Sequence, residues 1–393
     1  MFYKSRENNS THVQVLCFFI FSIVVILFYS LPIGIVLLCA IMLYSGISSS
    51  IVFFLVGALV AFPVYLTPVI GDSLHYRIAF DNAIEGLNSF GVEIVFYYLS
   101  QGAHLVGFDY RILLFVVNLF LIYVYLLFFS RERVNSHVIF LLMIVFLFSP
   151  FYILNSAYLV RTYIGLGFFI LAVYSKSVPI RIIFALVSII SQTYFLLPLL
   201  AFSIRAQKLL LSQKFIAIFF VFFIAQKLGI FPTWMKLIQD NSSTIINFDI
   251  ANLNRKINVL EHGVSNLGIM DYHRFFLVLF GIYYLSMKGL INSMKPQSKF
   301  LLSSFVLTSV IALSVDGNII LLNRIGFLAY FCFFFAFVVF WSKVRLKNPV
   351  SILFIVYSIM ITVYSFIYND LVSQDTRILL GGSYMLSGLV DYF

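Results

Sequence analysis

The chain has 393 residues, of which 62% are hydrophobic and only 10% are charged, and its formal net charge is +10. This composition excludes a water-soluble globular domain, in which about a quarter of the residues are charged, and it indicates an all-α membrane protein. The basic excess does not indicate nucleic-acid binding, because in a membrane protein Lys and Arg mark the cytoplasmic ends of the spans. The three cysteines lie in apolar runs, so we expect neither a disulfide framework nor a metal cluster.

The apolar runs predict a polytopic helical membrane bundle of about 11–13 transmembrane helices, with short re-entrant helices and external loops. We expect one integral membrane domain over residues 1–393, with an external or interfacial segment at 67–109 and a large external loop at 232–273. Basic residues gather at alternate ends of the spans, which predicts a cytoplasmic N-terminus and an external C-terminus. The predicted membrane segments are Val13–Tyr29, Ile33–Tyr44, Ile51–Leu66, a half-helix at Val92–Val106, Tyr110–Phe129, His137–Tyr152, Ala157–Tyr174, Ile180–Ile190, Tyr194–Ile204, Phe215–Phe231, Arg274–Leu290, Phe300–Val315, Ile319–Trp341 and Ser351–Tyr368.

The apolar run Ile182–Ile204 has the length of one span, but both of its ends look cytoplasmic. Arg181 precedes it and Arg205 follows it, which requires an even number of crossings. A polar notch, Ser191-Gln192-Thr193, lies in the middle of the run. We therefore predict two short helices that meet at this notch.

Arg161 lies in an apolar stretch in which no acidic residue occurs between Leu154 and Phe168. A guanidinium in hydrocarbon costs about 2.5–3.5 kcal/mol even on the lenient insertion scale, and arginine cannot lose its proton to avoid that cost. Arg324 repeats the situation late in the chain. Two planar cations at similar depth suit a diphosphate, which accepts paired hydrogen bonds from arginine.

Polar side chains gather on the predicted outer side, where carboxylates can act as a general base. We predict Asp72, Glu93, Arg161 and Arg324 as catalytic residues, and we expect neither a metal nor a cofactor. The predicted substrate-binding residues are Tyr76, Arg77, Gln192, Asn323, His273 and Arg274.

Each of these residues also has a structural interpretation. An intramembrane arginine can pair with a structural carboxylate or bind helix carbonyls. Asp72 can cap the helix that begins at Ser73, and Glu93 can hydrogen-bond to a neighbouring helix. A histidine at the outer rim, such as His273, is often only solvated.

Several short motifs together resemble the Wzy/EpsG-like family of bacterial O-antigen and exopolysaccharide polymerases. The resemblance covers roughly Pro68 to Phe340, and at the notch this chain has Ser191-Gln192-Thr193 where many relatives have a histidine followed by a small residue. The matching features are Gly71-Asp72-x-x-x-Tyr76, Phe90–Glu93, Arg161 at the opening of a glycine-rich helix, the short helix pair before Pro198, and Asn323-Arg324-Ile325.

The resemblance implies a GT-C-like helical fold in the bacterial inner membrane, with periplasmic loops at 67–109 and 232–273 and a periplasmic C-terminus. It also implies a polymerase that acts at the periplasmic face. Such an enzyme transfers a glycan from undecaprenyl diphosphate to the non-reducing end of a lipid-linked repeat unit. The implied partners are that lipid-linked oligosaccharide, membrane lipids and a chain-length regulator, with no nucleic acid. The alternatives are a lipid-linked oligosaccharide flippase or other transporter, and a membrane glycan ligase or acyltransferase.

Overall fold

The computed structural model describes residues 72–91, 94–132, 159–227, 269–314 and 339. This part of the chain is helical and contains no strand. The chain divides into two compact units, one formed by Met1–Thr193 with Leu346–Phe393 and the other by Tyr194–Arg345. The boundary between them falls at the end of the polar notch.

The described part of the first unit consists of five helices. The second helix, with 11 residues, is too short to span a membrane, whereas the third, with 23 residues, is about 34 Å long and exceeds the hydrocarbon thickness. The second helix falls within the predicted half-helix Val92–Val106. The third helix covers the predicted span Tyr110–Phe129 and is long and apolar enough to cross a membrane. The helices are α1 (Asp72–Ile84), α2 (Val95–Leu105), α3 (Tyr110–Glu132), α4 (Val160–Tyr174) and α5 (Val178–Ser191).

Helices α3 and α4 run parallel to each other. Near their ends, the Tyr174 hydroxyl donates a hydrogen bond to buried Glu132 at 2.7 Å, and nearer their middles the Phe120 and Phe168 rings lie 5.3 Å apart. The helices approach closely because Gly167 has no side chain; a Cβ atom added there would overlap the Phe120 ring. The parallel arrangement agrees with the basic residues that follow both apolar runs, Arg131 after Tyr110–Phe129 and Lys176 after Ala157–Tyr174, which predict that both runs end on the cytoplasmic side.

Helix α5 returns antiparallel to α4 after a short connection. The Ser188 hydroxyl donates to the Gly165 carbonyl at 2.7 Å, and Arg181 donates to the Ser175 carbonyl at 2.8 Å just after the end of α4. A cation at the C-terminal end of a helix is favoured by the helix dipole. Arg181 therefore stabilises the turn between the two helices.

The exposed side of α5 is apolar, and its buried side carries the polar groups. Ile182 and Ile183 are each more than half exposed, while Ser188 and Ser191 are buried. A water-soluble helix shows the reverse arrangement. The pattern indicates that α5 faces a lipid environment.

The second unit contains the remaining described helices. Buried serine and threonine side chains on the last helix bond to carbonyls of their own helix, as Thr308 does to Ser304 at 2.9 Å, and Ser304 donates across to the Pro198 carbonyl at 3.1 Å. Such internal bonds satisfy polar groups away from water. The helices are α6 (Leu196–Leu199) between 3-10 turns at Thr193–Phe195 and Leu200–Phe202, α7 (Ile204–Leu210), α8 (Gln213–Lys227), α9 (Ile269–Met287), a 3-10 turn at Leu290–Ser293, and α10 (Pro296–Ser314).

Two described helices are long and apolar enough to cross a membrane, namely Tyr110–Glu132 and Pro296–Leu313 within α10. A third span is added if α7 and α8, which meet at a bend of 59°, form one span together. The other predicted crossings either correspond to shorter apolar helices or lie outside the described residues, as His137–Tyr152 and the three N-terminal runs do.

The predicted helix break at the polar notch is confirmed. Helix α5 ends at Ser191, Gln192 has extended backbone with φ −155° and ψ 112°, and a new helical turn starts at Thr193. The extended residue interrupts the hydrogen-bond ladder, so the run Ile182–Ile204 is not one continuous helix.

Candidate functional site: an arginine against an aromatic cluster

The site begins with the loop that joins α1 to α2. Gly86 and Gly91 both have left-handed backbone, with φ of 77° and 60°, which residues with a side chain rarely adopt. Between them, Asn88 accepts a hydrogen bond from the Phe90 amide at 3.0 Å and donates to the Gly91 carbonyl at 2.6 Å. These contacts fold the loop tightly and fix the position of Phe90.

Phe90 joins a cluster of three rings at this end of the unit. Its ring lies 5.4 Å from that of Tyr76 and 5.8 Å from that of Phe96, and the Tyr76 and Phe96 rings are also 5.4 Å apart. Tyr76 and Phe96 are buried, whereas Phe90 is half-buried. The cluster therefore fixes α1, α2 and their connecting loop to one another.

Arg161 lies against this aromatic cluster. Its Cζ atom is 3.8 Å from the centroid of the Phe90 ring and 5.5 Å from that of the Tyr76 ring. Its Nε atom donates a hydrogen bond to the Tyr76 hydroxyl at 3.2 Å. Contacts of this kind contribute about 0.5–2 kcal/mol, the larger value applying where water is excluded.

The helix that carries Arg161 does not favour a cation at this position. Arg161 is the second residue of α4, and Leu159 before the helix makes no side-chain capping bond. The N-terminal end of a helix carries partial positive charge, so a cation there is disfavoured by about 0.3–1 kcal/mol. The aromatic rings offset this cost. The charge of Arg161 and the partial positive charge at the N-terminal end of α4 lie at the same place, and together they attract an anion.

Gln192 lies at the same end of the unit as Arg161. The Ser188 hydroxyl bonds to the Gly165 carbonyl, and α4 and α5 run antiparallel. Arg161 comes one turn before Gly165, and Gln192 comes one turn after Ser188. Both residues therefore lie on the same side of this contact. The structure thus brings Tyr76, Arg161 and the half-buried Gln192 to one end of the first unit. Arg77, exposed on α1, lines a neighbouring cleft.

The remaining predicted site residues are only partly covered. Asp72 is the first residue of α1, one turn before Tyr76, and His273 and Arg274 lie in the second turn of α9, which begins at Ile269. Glu93, Asn323 and Arg324 lie outside the described residues. Their predicted roles stay predictions.

Sequence reasoning did not identify Phe90 as the partner of Arg161, although it noted the motif that contains Phe90. A phenylalanine is common in this chain, and nothing in its sequence position shows that a glycine-bounded loop folds it back. Among the described residues, no group of three His, Cys, Asp or Glu side chains could hold a metal ion.

Comparison with protein-family models, with curated proteins and with solved structures finds no significant match for this chain.

Proposed function

We propose that this chain is a polytopic membrane glycosyltransferase that polymerises glycan repeat units carried on undecaprenyl diphosphate. The reaction takes place at the periplasmic face of the bacterial inner membrane. The observation that carries the proposal is the guanidinium of Arg161, which lies over the Phe90 ring and donates to the Tyr76 hydroxyl at the N-terminal end of α4. The apolar spans supply the membrane setting for a lipid-linked substrate.

The leaving group of such a donor is a diphosphate, on which negative charge develops as the sugar departs. The planar fork of an arginine matches the oxygens of a phosphate, which accept its N–H donors in pairs. Fixed positive groups at the point where charge develops often make the largest contribution to catalysis. Arg161 and the N-terminal end of α4 provide this stabilisation, and Arg324 is proposed as a second cation.

The transfer itself forms one bond and breaks one bond. A hydroxyl oxygen at the non-reducing end of the acceptor attacks the anomeric carbon of the donor, and the bond from that carbon to the diphosphate oxygen breaks. The hydroxyl proton passes to a carboxylate, for which Asp72 and Glu93 are the proposed bases. The electron pair of the broken bond remains on the diphosphate, beside Arg161.

The test replaces Arg161 and follows polymer formation in cells that lack the wild-type chain. We expect Arg161→Ala to lower polymer formation by about 100-fold or more, the loss typical of removing one stabilising donor. Arg161→Lys should restore it only in part, because lysine provides a point charge and not a planar fork. Arg205→Ala removes an exposed arginine of α7 and is the matched control.

The amount of each variant in the membrane must be measured alongside its activity. The proposal requires normal insertion of Arg161→Ala with lost polymer. Loss of abundance in step with loss of activity would show instead that Arg161 has a structural role.

A further inference from the structure

A half-open cleft of about 390 Å³ lies between α1, the end of α2 and the start of α3. This volume falls within the range of about 300–1,000 Å³ that is usual for small-molecule sites. The residues that line it combine three aromatic rings with charged side chains of both signs. Except for Arg77, none of them belongs to the site predicted from the sequence.

The aromatic part of the cleft is formed by Phe80, Phe108 and Tyr110. The Phe80 ring lies 5.9 Å from that of Tyr110 and 4.0 Å from that of His104. Phe80 and Tyr110 are buried, whereas Phe108 is 39% exposed, so Phe108 is the lining ring that is accessible to a ligand. An exposed aromatic face can pack against the apolar C–H groups of a ligand, while the two buried rings hold the wall of the cleft in place.

Two polar side chains are held by hydrogen bonds to the backbone of the cleft. The Nε2 atom of His104 donates to the Phe80 carbonyl at 2.9 Å, which ties α2 to α1. The Asp109 carboxylate accepts from the Ile112 amide at 2.7 Å and caps the start of α3. The shape of the cleft is therefore set without a ligand, which lowers the cost of binding.

The charges around the cleft balance. Arg77 and Arg111 line it together with Asp81 and Asp109. Arg77 and Asp81 are exposed and lie one turn apart on α1. A site for a free anion or cation would carry an excess of one sign. Balanced donors and acceptors beside aromatic rings suit a neutral ligand rich in hydroxyl groups.

We propose that this cleft binds a sugar ring of the acceptor glycan. Its location supports this assignment, because Tyr76 contacts Arg161 while Phe80, one turn further along α1, lines the cleft. Four residues of helix correspond to about 6 Å along the axis. The cleft thus adjoins the site of the donor diphosphate, and this inference rests on the proposed function.

The test measures binding of a defined sugar to the purified full-length chain in detergent by saturation-transfer NMR. The probe is the free oligosaccharide of a single repeat unit, released from the lipid fraction of the source cells. We expect Asp81→Asn and Phe108→Ala each to weaken binding about tenfold, since each removes a charge-assisted hydrogen bond or a ring contact. Both residues are exposed, and size-exclusion chromatography verifies that the variants are folded.

A further variant serves as the control. His75→Gln changes an exposed residue of α1 that does not line the cleft. This variant should bind the free oligosaccharide as the wild type does. Wild-type affinity in Asp81→Asn and Phe108→Ala, or no binding by the wild type, would overturn the assignment.

The same variants separate this inference from the polymerase proposal. If cleft variants bind normally while Arg161→Ala abolishes polymer, the cleft assignment is wrong and the polymerase proposal stands. If binding requires the cleft but polymer forms equally well without this chain, the cleft is a glycan site and the polymerase proposal is wrong.

Discussion

At the scale of single residues, Arg161 shows how the chain keeps a permanent cation at the end of an apolar helix. Its helix dipole opposes the charge, and the rings of Phe90 and Tyr76 stabilise it. Lysine would make a poorer substitute, because its ammonium group is more strongly hydrated and does not stack. The Phe90 and Tyr76 rings contribute differently to the stabilisation of the Arg161 cation, and separate substitutions measure each contribution.

Phe90→Leu and Tyr76→Phe test those contributions. Phe90→Leu removes the closer ring face, so we expect polymer formation to fall about 3- to 30-fold, corresponding to a cation–π contact. Tyr76→Phe keeps its ring and loses only the acceptor for Nε, so the loss should be smaller, about 2- to 10-fold. The measurement is the rate of polymer formation at equal protein level.

Tyr98→Phe is the control for Tyr76→Phe, because Tyr98 is 61% exposed on α2. Wild-type rates in both Phe90→Leu and Tyr76→Phe would show that the aromatic contacts do not position Arg161 for the reaction.

At the scale of helices, the glycines of α4 determine how closely its neighbours approach. Gly167 lies against the Phe120 ring of α3, and the Gly165 carbonyl accepts a bond from α5. Small residues permit such close packing between membrane helices, where van der Waals contact replaces the hydrophobic effect. The position of Arg161 depends on this packing, since it fixes α4 against α3.

Gly167→Ala should destabilise the protein by about 1–3 kcal/mol, because the added methyl group forces the Phe120 ring to move. Phe120→Ala in the same chain should recover much of that loss by making room for the added methyl group.

Gly102→Ala is the matched control, as Gly102 lies in α2 with no neighbour within 4 Å of an added Cβ. It should be neutral or stabilising by up to about 1 kcal/mol. The thermal unfolding midpoint in detergent reports the order of the variants, and a Gly167→Ala protein as stable as wild type would contradict the packing argument.

The sequence predicted helices better than it predicted contacts. Length, hydropathy and the positions of basic residues were sufficient to predict the long apolar helix α3, the short helix α2 and the helix break at Gln192. The apolar pattern placed Arg161 inside the predicted helix Ala157–Tyr174, whereas α4 begins at Val160, only one residue before Arg161. The pairing of Arg161 with Phe90 depends on a loop closed by Gly86, Gly91 and Asn88, and no periodic pattern reports such a loop.

At the scale of the whole molecule, the first unit has two chemically different ends. One end carries Glu132 and Tyr174 with the basic residues Arg131, Lys176 and Arg181, which agrees with the predicted cytoplasmic side. The other end carries the aromatic cluster, Arg161 and the cleft. This separation is expected of an enzyme that works at one membrane face, because its catalytic groups need to meet the substrate at only one face.

The glycan profile of cells that lack this chain distinguishes a polymerase from a flippase. A lost polymerase leaves repeat units that are already translocated, so we predict surface glycan with one repeat unit and no ladder of longer chains. Wild-type protein should restore the ladder and Arg161→Ala should not, because the departing diphosphate would lack its counter-charge. In a host that attaches glycan without a ligase, the equivalent result is single-unit lipid diphosphate accumulating on the periplasmic face. Complete absence of translocated repeat units would indicate a flippase, and an unchanged ladder would contradict the polymerase assignment.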